Sequence, residues 1–99
     1  MIFSIQLKLG SRVFYMYCER TETGQTFERF MLWPRDNPRK WIILQNNRPL
    51  IRKKLNLRSK RYNWKVIQGS IKDQSALDRA IEIIETYLEE NDSPSNSSR

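Results

Sequence analysis

The sequence predicts an α+β fold: a single small domain in which a four- to five-stranded antiparallel β-sheet carries one long C-terminal α-helix packed on one face. Three observations predict this fold class. Apolar and polar residues alternate in short segments over the first two thirds of the 99-residue chain, as they do in half-buried strands. Turn-forming residues separate these segments at short intervals, which favours antiparallel pairing of neighbours. Residues 75–90 carry apolar side chains at helical spacing instead.

The first three predicted strands form an antiparallel meander joined by short connections. Turns are expected at residues 10–11 and 21–25, where glycine and small polar residues collect. Pro34 ends the third strand because proline has no backbone N–H to donate to a sheet ladder. The predicted strands cover residues 2–9, 12–20, 26–33, 41–44 and 62–67.

The stretch before the last strand, residues 48–60, fits two structures equally well. Pro49 suits the first turn of a short helix, with apolar residues on one side and basic residues on the other. Residues 55–58 alternate as a strand does, so the same stretch also fits a basic hairpin arm. The pattern leaves both alternatives open.

The C-terminal helix is predicted over residues 75–90. Either Ser75 or Asp73 is placed to cap its first turn. The face opposite the apolar stripe is acidic, which is typical of a solvated helix surface. The stripe comprises Leu77, Ala80, Ile81, Ile84 and Leu88, and the acidic face comprises Glu82, Glu85, Glu89 and Glu90.

The domain is expected to span residues 1–90. The remaining residues, 91–99, are too polar and turn-prone to contribute to a core, so a disordered tail is predicted there. About 90 residues are enough for one sheet with a helix on it.

Positive charge is concentrated in the middle third of the chain. The net charge is +7, and residues 35–65 hold eleven Lys and Arg against one acid. Residues 66–99 are acidic overall, with seven acids and three bases. This asymmetry is typical of a surface that binds a polyanion. The alternative is that some of the bases pair with the acidic C-terminal third.

The composition excludes several classes of site. The chain has no histidine and one cysteine, Cys18, which removes the commonest general base and the ligands of a structural zinc site. The three glycines lie far apart, so no phosphate-binding glycine loop is present. We therefore expect a protein with no cofactor, no metal and no enzymatic activity.

The lone cysteine and the first residues also predict the compartment. One cysteine allows no intramolecular disulfide, which favours a reducing environment. Residues 1–10 lack the features of a secretion signal, and no run approaches the ~20 apolar residues of a membrane span. The expectation is an intracellular, cytoplasmic protein without membrane contact.

Aromatic residues are interleaved with the bases. On the second strand Tyr15 and Tyr17 share the face opposite Phe14, Met16 and Cys18, so the tyrosines project outward if the other three pack under the helix. Arg29 and Trp33 share a face of the third strand and are expected to extend the same surface, although Phe27 and Met31 lie on that face too and fit the core equally well. The alternative is that the aromatics pack against one another, which we favour for Trp41 and Trp64.

These features give a candidate nucleic-acid site. Single strands are held by cations along the phosphates and by flat side chains on which bases stack. The base-stacking surface is predicted to comprise Tyr15, Tyr17, Arg29 and Trp33. The predicted phosphate contacts are Arg39, Lys40, Arg52, Lys53, Lys54, Arg58, Lys60 and Arg61.

The predicted element order, several antiparallel strands followed by one helix, is similar in outline to the repeats of the Pur and Whirly single-stranded-nucleic-acid binders. The resemblance is one of topology and includes no shared motif. It implies a non-enzymatic domain that binds single-stranded DNA or RNA.

The resulting hypothesis is a small basic domain that binds nucleic acid, with single-stranded RNA or DNA preferred over duplex. The alternative is a protein-interaction module or assembly factor whose basic segment docks on an acidic protein surface. A third possibility is a histidine-free enzyme similar to small ribonuclease toxins that cut RNA with Lys, Arg and Tyr. Homo-oligomers would form if the acidic helix of one copy met the basic segment of another.

Overall fold

The computed structural model describes residues 2–53 and 62–91. In these residues all five strands belong to one antiparallel sheet with the order β1-β2-β3-β4-β5, and a long C-terminal helix follows. The predicted α+β fold class is confirmed. The elements are β1 (Ile2–Leu9), β2 (Arg12–Thr23), β3 (Glu28–Pro34), β4 (Ile42–Asn46), α1 (Arg48–Lys53), β5 (Trp64–Gln68) and α2 (Gln74–Asn91).

The β1–β2 hairpin follows directly from its sequence. Gly10 has a φ of 65°, which supplies the positive φ that a two-residue hairpin turn needs at its first position. The turn sets the register from Leu9 opposite Arg12 to Ile2 opposite Glu19. In β1 the burial alternates strictly, with Phe3, Ile5 and Leu7 buried, as the sequence pattern predicts.

The second hairpin is longer than predicted. β2 continues to Thr23, and the turn is closed by the backbone N–H of Gly24, which donates to the Phe27 carbonyl at 2.8 Å. A β-bulge between Arg20 and Glu22 absorbs one extra residue in this part of β2. The predicted turn at residues 21–25 was therefore placed too early. A bulge interrupts the period-two alternation, so the continuation of the strand beyond it was not recognised.

The stretch after β4 begins as a helix. α1 starts at Arg48, and its first backbone hydrogen bond runs from the Ile51 N–H to the Asn47 carbonyl at 3.1 Å. Pro49 lies in the first turn, where a missing N–H costs nothing. The helical alternative is thus confirmed as far as Lys53. The rest of the ambiguous stretch, residues 54–60, lies outside the described residues.

β5 is followed by a tight approach to β4 that requires glycine. Gly69 has a φ of 83°, and a Cβ at this position would lie 2.8 Å from Cγ2 of Ile42 and 2.9 Å from the carbonyl oxygen of Trp41. Both the positive φ and the lack of space exclude a larger residue. The chain then enters α2, whose first turn is capped by Asp73. The Oδ1 of Asp73 accepts from the backbone N–H groups of Ser75 at 2.9 Å and Ala76 at 3.3 Å.

The core lies between α2 and one face of the sheet, which we call the inner face. The Phe3 and Tyr87 rings stack at 3.9 Å between centroids and join β1 to the helix. Asn91 belongs to α2, and the rest of the predicted tail, residues 92–99, lies outside the described residues. The buried cluster consists of Phe3, Ile5, Leu7, Cys18, Phe30, Leu32, Ile42, Leu44, Ala80, Ile84 and Leu88.

No helix within residues 2–53 and 62–91 has both the length and the apolar character needed to cross a membrane.

Candidate nucleic-acid interface

The opposite face of the sheet, here called the outer face, carries the predicted aromatic surface. Cys18 is buried and Met16 packs against the core, so the alternation of β2 directs Tyr15 and Tyr17 to the outer face. Tyr15 is 42% exposed and Tyr17 is half-buried. The predicted orientation of the two tyrosines is therefore observed.

Tyr17 and Trp33 form a cross-strand aromatic pair. They are direct neighbours in the register of β2 and β3, and their ring centroids are 5.9 Å apart with an interplanar angle of 39°. The contact between the two rings restricts both side chains to this position on the sheet. Trp33 is half-buried, so part of its surface remains available on the outer face.

Tyr15 has a cationic neighbour. The guanidinium carbon of Arg35 lies 4.4 Å from the centroid of the Tyr15 ring, and the Arg35 N–H donates to the Tyr15 carbonyl at 2.9 Å. The backbone bond places the arginine, and the cation–π contact orients its side chain. The sequence-based site did not include Arg35. The sequence signal for including Arg35 was its place directly after Pro34, the residue that ends the third strand. In the structure Pro34 lies opposite Met16.

Arg29 lies on the outer face as predicted but is largely occupied by other side chains. Its Nε donates to Gln45 Oε1 at 2.9 Å, and its Nη1 forms an ion pair with Glu22 Oε1 at 3.0 Å. Its guanidinium also lies 4.9 Å from the Phe27 ring centroid. These contacts make Arg29 a side chain that organises the surface, with part of its charge already neutralised.

The predicted phosphate contacts are divided between the two ends of the sheet. Arg39 and Lys40 are exposed in the loop before β4, whereas Arg52 lies in α1, after β4. Because β4 runs between them, the two groups lie at opposite ends of that strand. The side chain of Lys53 and the whole of Lys54, Arg58, Lys60 and Arg61 lie outside the described residues.

One basic residue of the segment 35–65, Arg48, is buried inside the fold. Arg48 is 3% exposed, and its Nη1 lies 3.2 Å and 3.1 Å from the two carboxylate oxygens of Glu28, which is 1% exposed. Glu28 also accepts from Asn46 Nδ2 at 3.1 Å and from Arg20 Nη1 at 3.4 Å. This buried ion pair was not predicted. Glu28 shares the strand parity of Phe30 and Leu32, which was the available signal that it points inward.

Acidic residues of α2 also contact this end of the sheet, where Arg48 and Glu28 lie. Arg48 Nε lies 3.9 Å from Glu89 Oε2, and the indole N–H of Trp64 donates to Glu85 Oε2 at 2.6 Å. The alternative that some central bases pair with the acidic third is therefore true of Arg48. Trp64 packs against Phe30 at 5.6 Å between ring centroids, as expected of an interior tryptophan. Trp41 is 38% exposed, so its expected interior position is wrong.

One further titratable group, the Cys18 thiol, lies in the core. Burial raises the pKa of the Cys18 thiol well above its ordinary value, and the Glu19 carboxylate adds to the effect, so Cys18 is protonated at neutral pH. Among the described residues, no group of three Cys, Asp or Glu side chains is placed to hold a metal ion.

Comparison of the chain with protein-family models, with curated proteins and with solved structures gave no match.

Proposed function

We propose that the protein is a non-enzymatic nucleic-acid-binding domain that prefers single-stranded RNA or DNA and holds it on the outer face of its sheet. One observation carries the proposal: Tyr15, Tyr17 and Trp33 lie on the face of the sheet opposite the core and α2, with Arg35 against the Tyr15 ring. Bases of a single strand expose their flat faces, and each base stacked on an aromatic side chain contributes about 1–3 kcal/mol.

Cations border this aromatic surface on both sides. Lys8 and Lys65 are exposed at outward-facing positions of β1 and β5, and Arg35, Arg39 and Lys40 follow the end of β3. A nucleic-acid strand that crosses the face therefore passes lysine or arginine side chains at both edges of the sheet. We place such a protein in the reducing cytoplasm, since its cysteine is a free thiol.

The alternative function, docking of another protein, is favoured by a different feature of the same face. Ile2 is 58% exposed and Ile67 is 41% exposed, and Met31 and Ile43 pair between them as half-buried residues. Apolar residues of this kind mark protein-binding surfaces. Exposed aromatics next to exposed cations favour nucleic acid over this alternative.

The proposal is tested by fluorescence anisotropy with labelled single-stranded RNA, single-stranded DNA and duplex DNA of the same sequence, at about 50 and 200 mM salt. We expect tighter binding of the single strands and a log–log salt slope of roughly −0.7 for each phosphate contacted. Tyr17→Ala is expected to weaken binding about fivefold or more, because a stacking surface is lost.

Tyr17→Phe is the matched control, because it keeps the ring and removes only the hydroxyl. It is expected to bind as the wild type does. Equal binding of duplex and single strands, or equal affinity of the Ala and Phe variants, would contradict stacking on this face. In that case the next experiment is a pull-down assay with an acidic protein as the bait.

A further inference from the structure

A groove opens beside the free end of the β1–β2 hairpin. β1 and β2 pair as far as Leu9 and Arg12, whereas the last pair between β2 and β3 joins Met16 to Pro34. Residues 12–15 therefore extend beyond β3 and have a strand neighbour on one side. On the other side the Arg35 N–H bonds to the Tyr15 carbonyl, and the loop then turns away.

The groove has the size of a small-ligand site and mostly apolar walls. Its volume is about 600 Å³, and Phe14, Tyr15, Pro34 and Ile71 are among its lining residues. A second cavity of about 570 Å³ shares Pro34 and Ile71 with it and extends to Trp41. The two form one trough, and two of its aromatic residues, Phe14 and Trp41, are each 38% exposed.

The walls of the trough carry an excess of positive charge. Arg35 and Lys40 line the first cavity, and Lys40 and Lys72 line the second, with Asp36 as the acid in the lining. Among the described residues, no carboxylate lies within 4 Å of these three cations. An occupant that fits both properties is flat and apolar in one part and anionic in another.

Tyr15 connects this trough to the outer face. Tyr15 lies on the outer face with Tyr17 by strand parity, and it is also one of the residues that line the first cavity. A single strand lying on the outer face can thus pass over the open side of β2 into the trough without leaving aromatic contact.

We propose that the trough takes one unstacked base of a bound single strand, with the adjoining phosphates held by Arg35, Lys40 and Lys72. The inference rests on the proposed function and adds a second, concave binding site to the flat stacking surface. Nucleic-acid binders read unpaired bases most closely where they are turned out of the stack into a pocket, so the trough is the part of this protein suited to base selectivity.

The first test is photocrosslinking of the wild-type protein to fluorescein-labelled decamers of DNA in which one position at a time carries 5-iododeoxyuridine. Crosslinked residues are identified by mass spectrometry. We expect crosslinks at Phe14 or Trp41, which lie in the trough, in addition to crosslinks at Tyr17 or Trp33. Tyr15 does not discriminate, because it belongs to both surfaces.

The second test compares the affinities of variants for the unmodified decamer. Phe14→Ala is expected to weaken binding about fivefold or more, the range for loss of one stacked base. The matched control is Thr86→Ala, which truncates an exposed side chain on α2, outside both the trough and the outer face, and is expected to change affinity less than about twofold. Lys40→Ala and Lys72→Ala should each lower the salt slope by roughly 0.7, and Arg79→Ala on α2 should leave it unchanged.

The outcomes separate this proposal from the proposed function. Crosslinks confined to Tyr17 and Trp33, together with unchanged affinity of Phe14→Ala, would overturn the trough and leave binding on the outer face intact. Absence of decamer binding at low salt would overturn both. Crosslinks at Phe14 or Trp41 with the expected loss in Phe14→Ala would support both.

Discussion

The two ends of the sheet use the same kind of side chain in opposite ways. At the paired end, Arg48 is buried against Glu28 and Asn46 beneath the last turns of α2. At the open end, Arg35, Lys40 and Lys72 are exposed around a trough. Arg35, Lys40 and Arg48 all belong to the basic segment 35–65. The strand β4 lies between Lys40 and Arg48 and takes the chain from one end of the sheet to the other.

The comparison shows that a basic segment in a sequence is not the same thing as a basic surface. A guanidinium taken out of water needs an anion and further hydrogen bonds close by, and Glu28 supplies the anion. An exposed lysine is solvated and keeps its charge available to a partner. One end therefore uses its charge to stabilise the fold, and the other keeps its charge exposed to solvent.

The largest expected effect comes from breaking the paired end. Glu28→Ala would leave Arg48 buried without its main anion, which should lower the free energy of unfolding by about 3–5 kcal/mol. Urea unfolding followed by circular dichroism measures it. Lys40→Ala at the open end is the matched control and should stay within about 0.5 kcal/mol of the wild type. A similar loss in both variants, or a small loss for Glu28→Ala, would mean that the two ends do not differ as described.

A smaller effect should appear when charge is reversed at each end and binding is measured. The double variant Arg35→Glu, Lys40→Glu is expected to reduce the salt slope for a single-stranded decamer by roughly 1.4, from two lost phosphate contacts. Arg52→Glu, in α1 at the paired end, should change the slope less, because Arg52 is half-buried beside Tyr62. Titrations at several salt concentrations give both slopes. A larger change for Arg52→Glu would place the main phosphate path at the paired end.

The smallest expected effect is a pH dependence that belongs to the paired end. Burial, together with the nearby Glu89 carboxylate, raises the pKa of Tyr62. The unfolded chain then loses the phenol proton at a lower pH than the folded protein does. The contribution to stability is complete below the ordinary tyrosine pKa of about 10 and is lost as the pH rises above it.

Tyr62→Phe removes this titration. Its free energy of unfolding should fall less steeply than that of the wild type between about pH 9 and 11. Urea unfolding at a series of pH values measures the two slopes. Identical slopes for the two proteins would show that Tyr62 is as well solvated in the folded protein as in the unfolded chain.

Local patterns predicted the elements of this fold well where each pattern has a single structural solution. The alternation in β1 and the apolar stripe of α2 each allow one face to be buried, and both lie as expected. The ends of β2 and β3 were misplaced, because the bulge at Arg20 and Glu22 breaks the alternation that predicts them. The outward orientation of Tyr15 and Tyr17 followed from strand parity once Cys18 was assigned to the core.

The sequence by itself determined the α+β class, the meander of the first three strands, the apolar stripe of α2 and the concentration of charge in residues 35–65. All of these depend on short-range periodicity and composition. Only the tertiary structure decided which charges are buried and which are exposed. The pairing of Glu28 with Arg48 joins residues twenty positions apart, and the trough combines the β1–β2 hairpin, the loop after β3 and the start of α2. Contacts between distant segments depend on the register and the length of every strand between them, which no local pattern specifies.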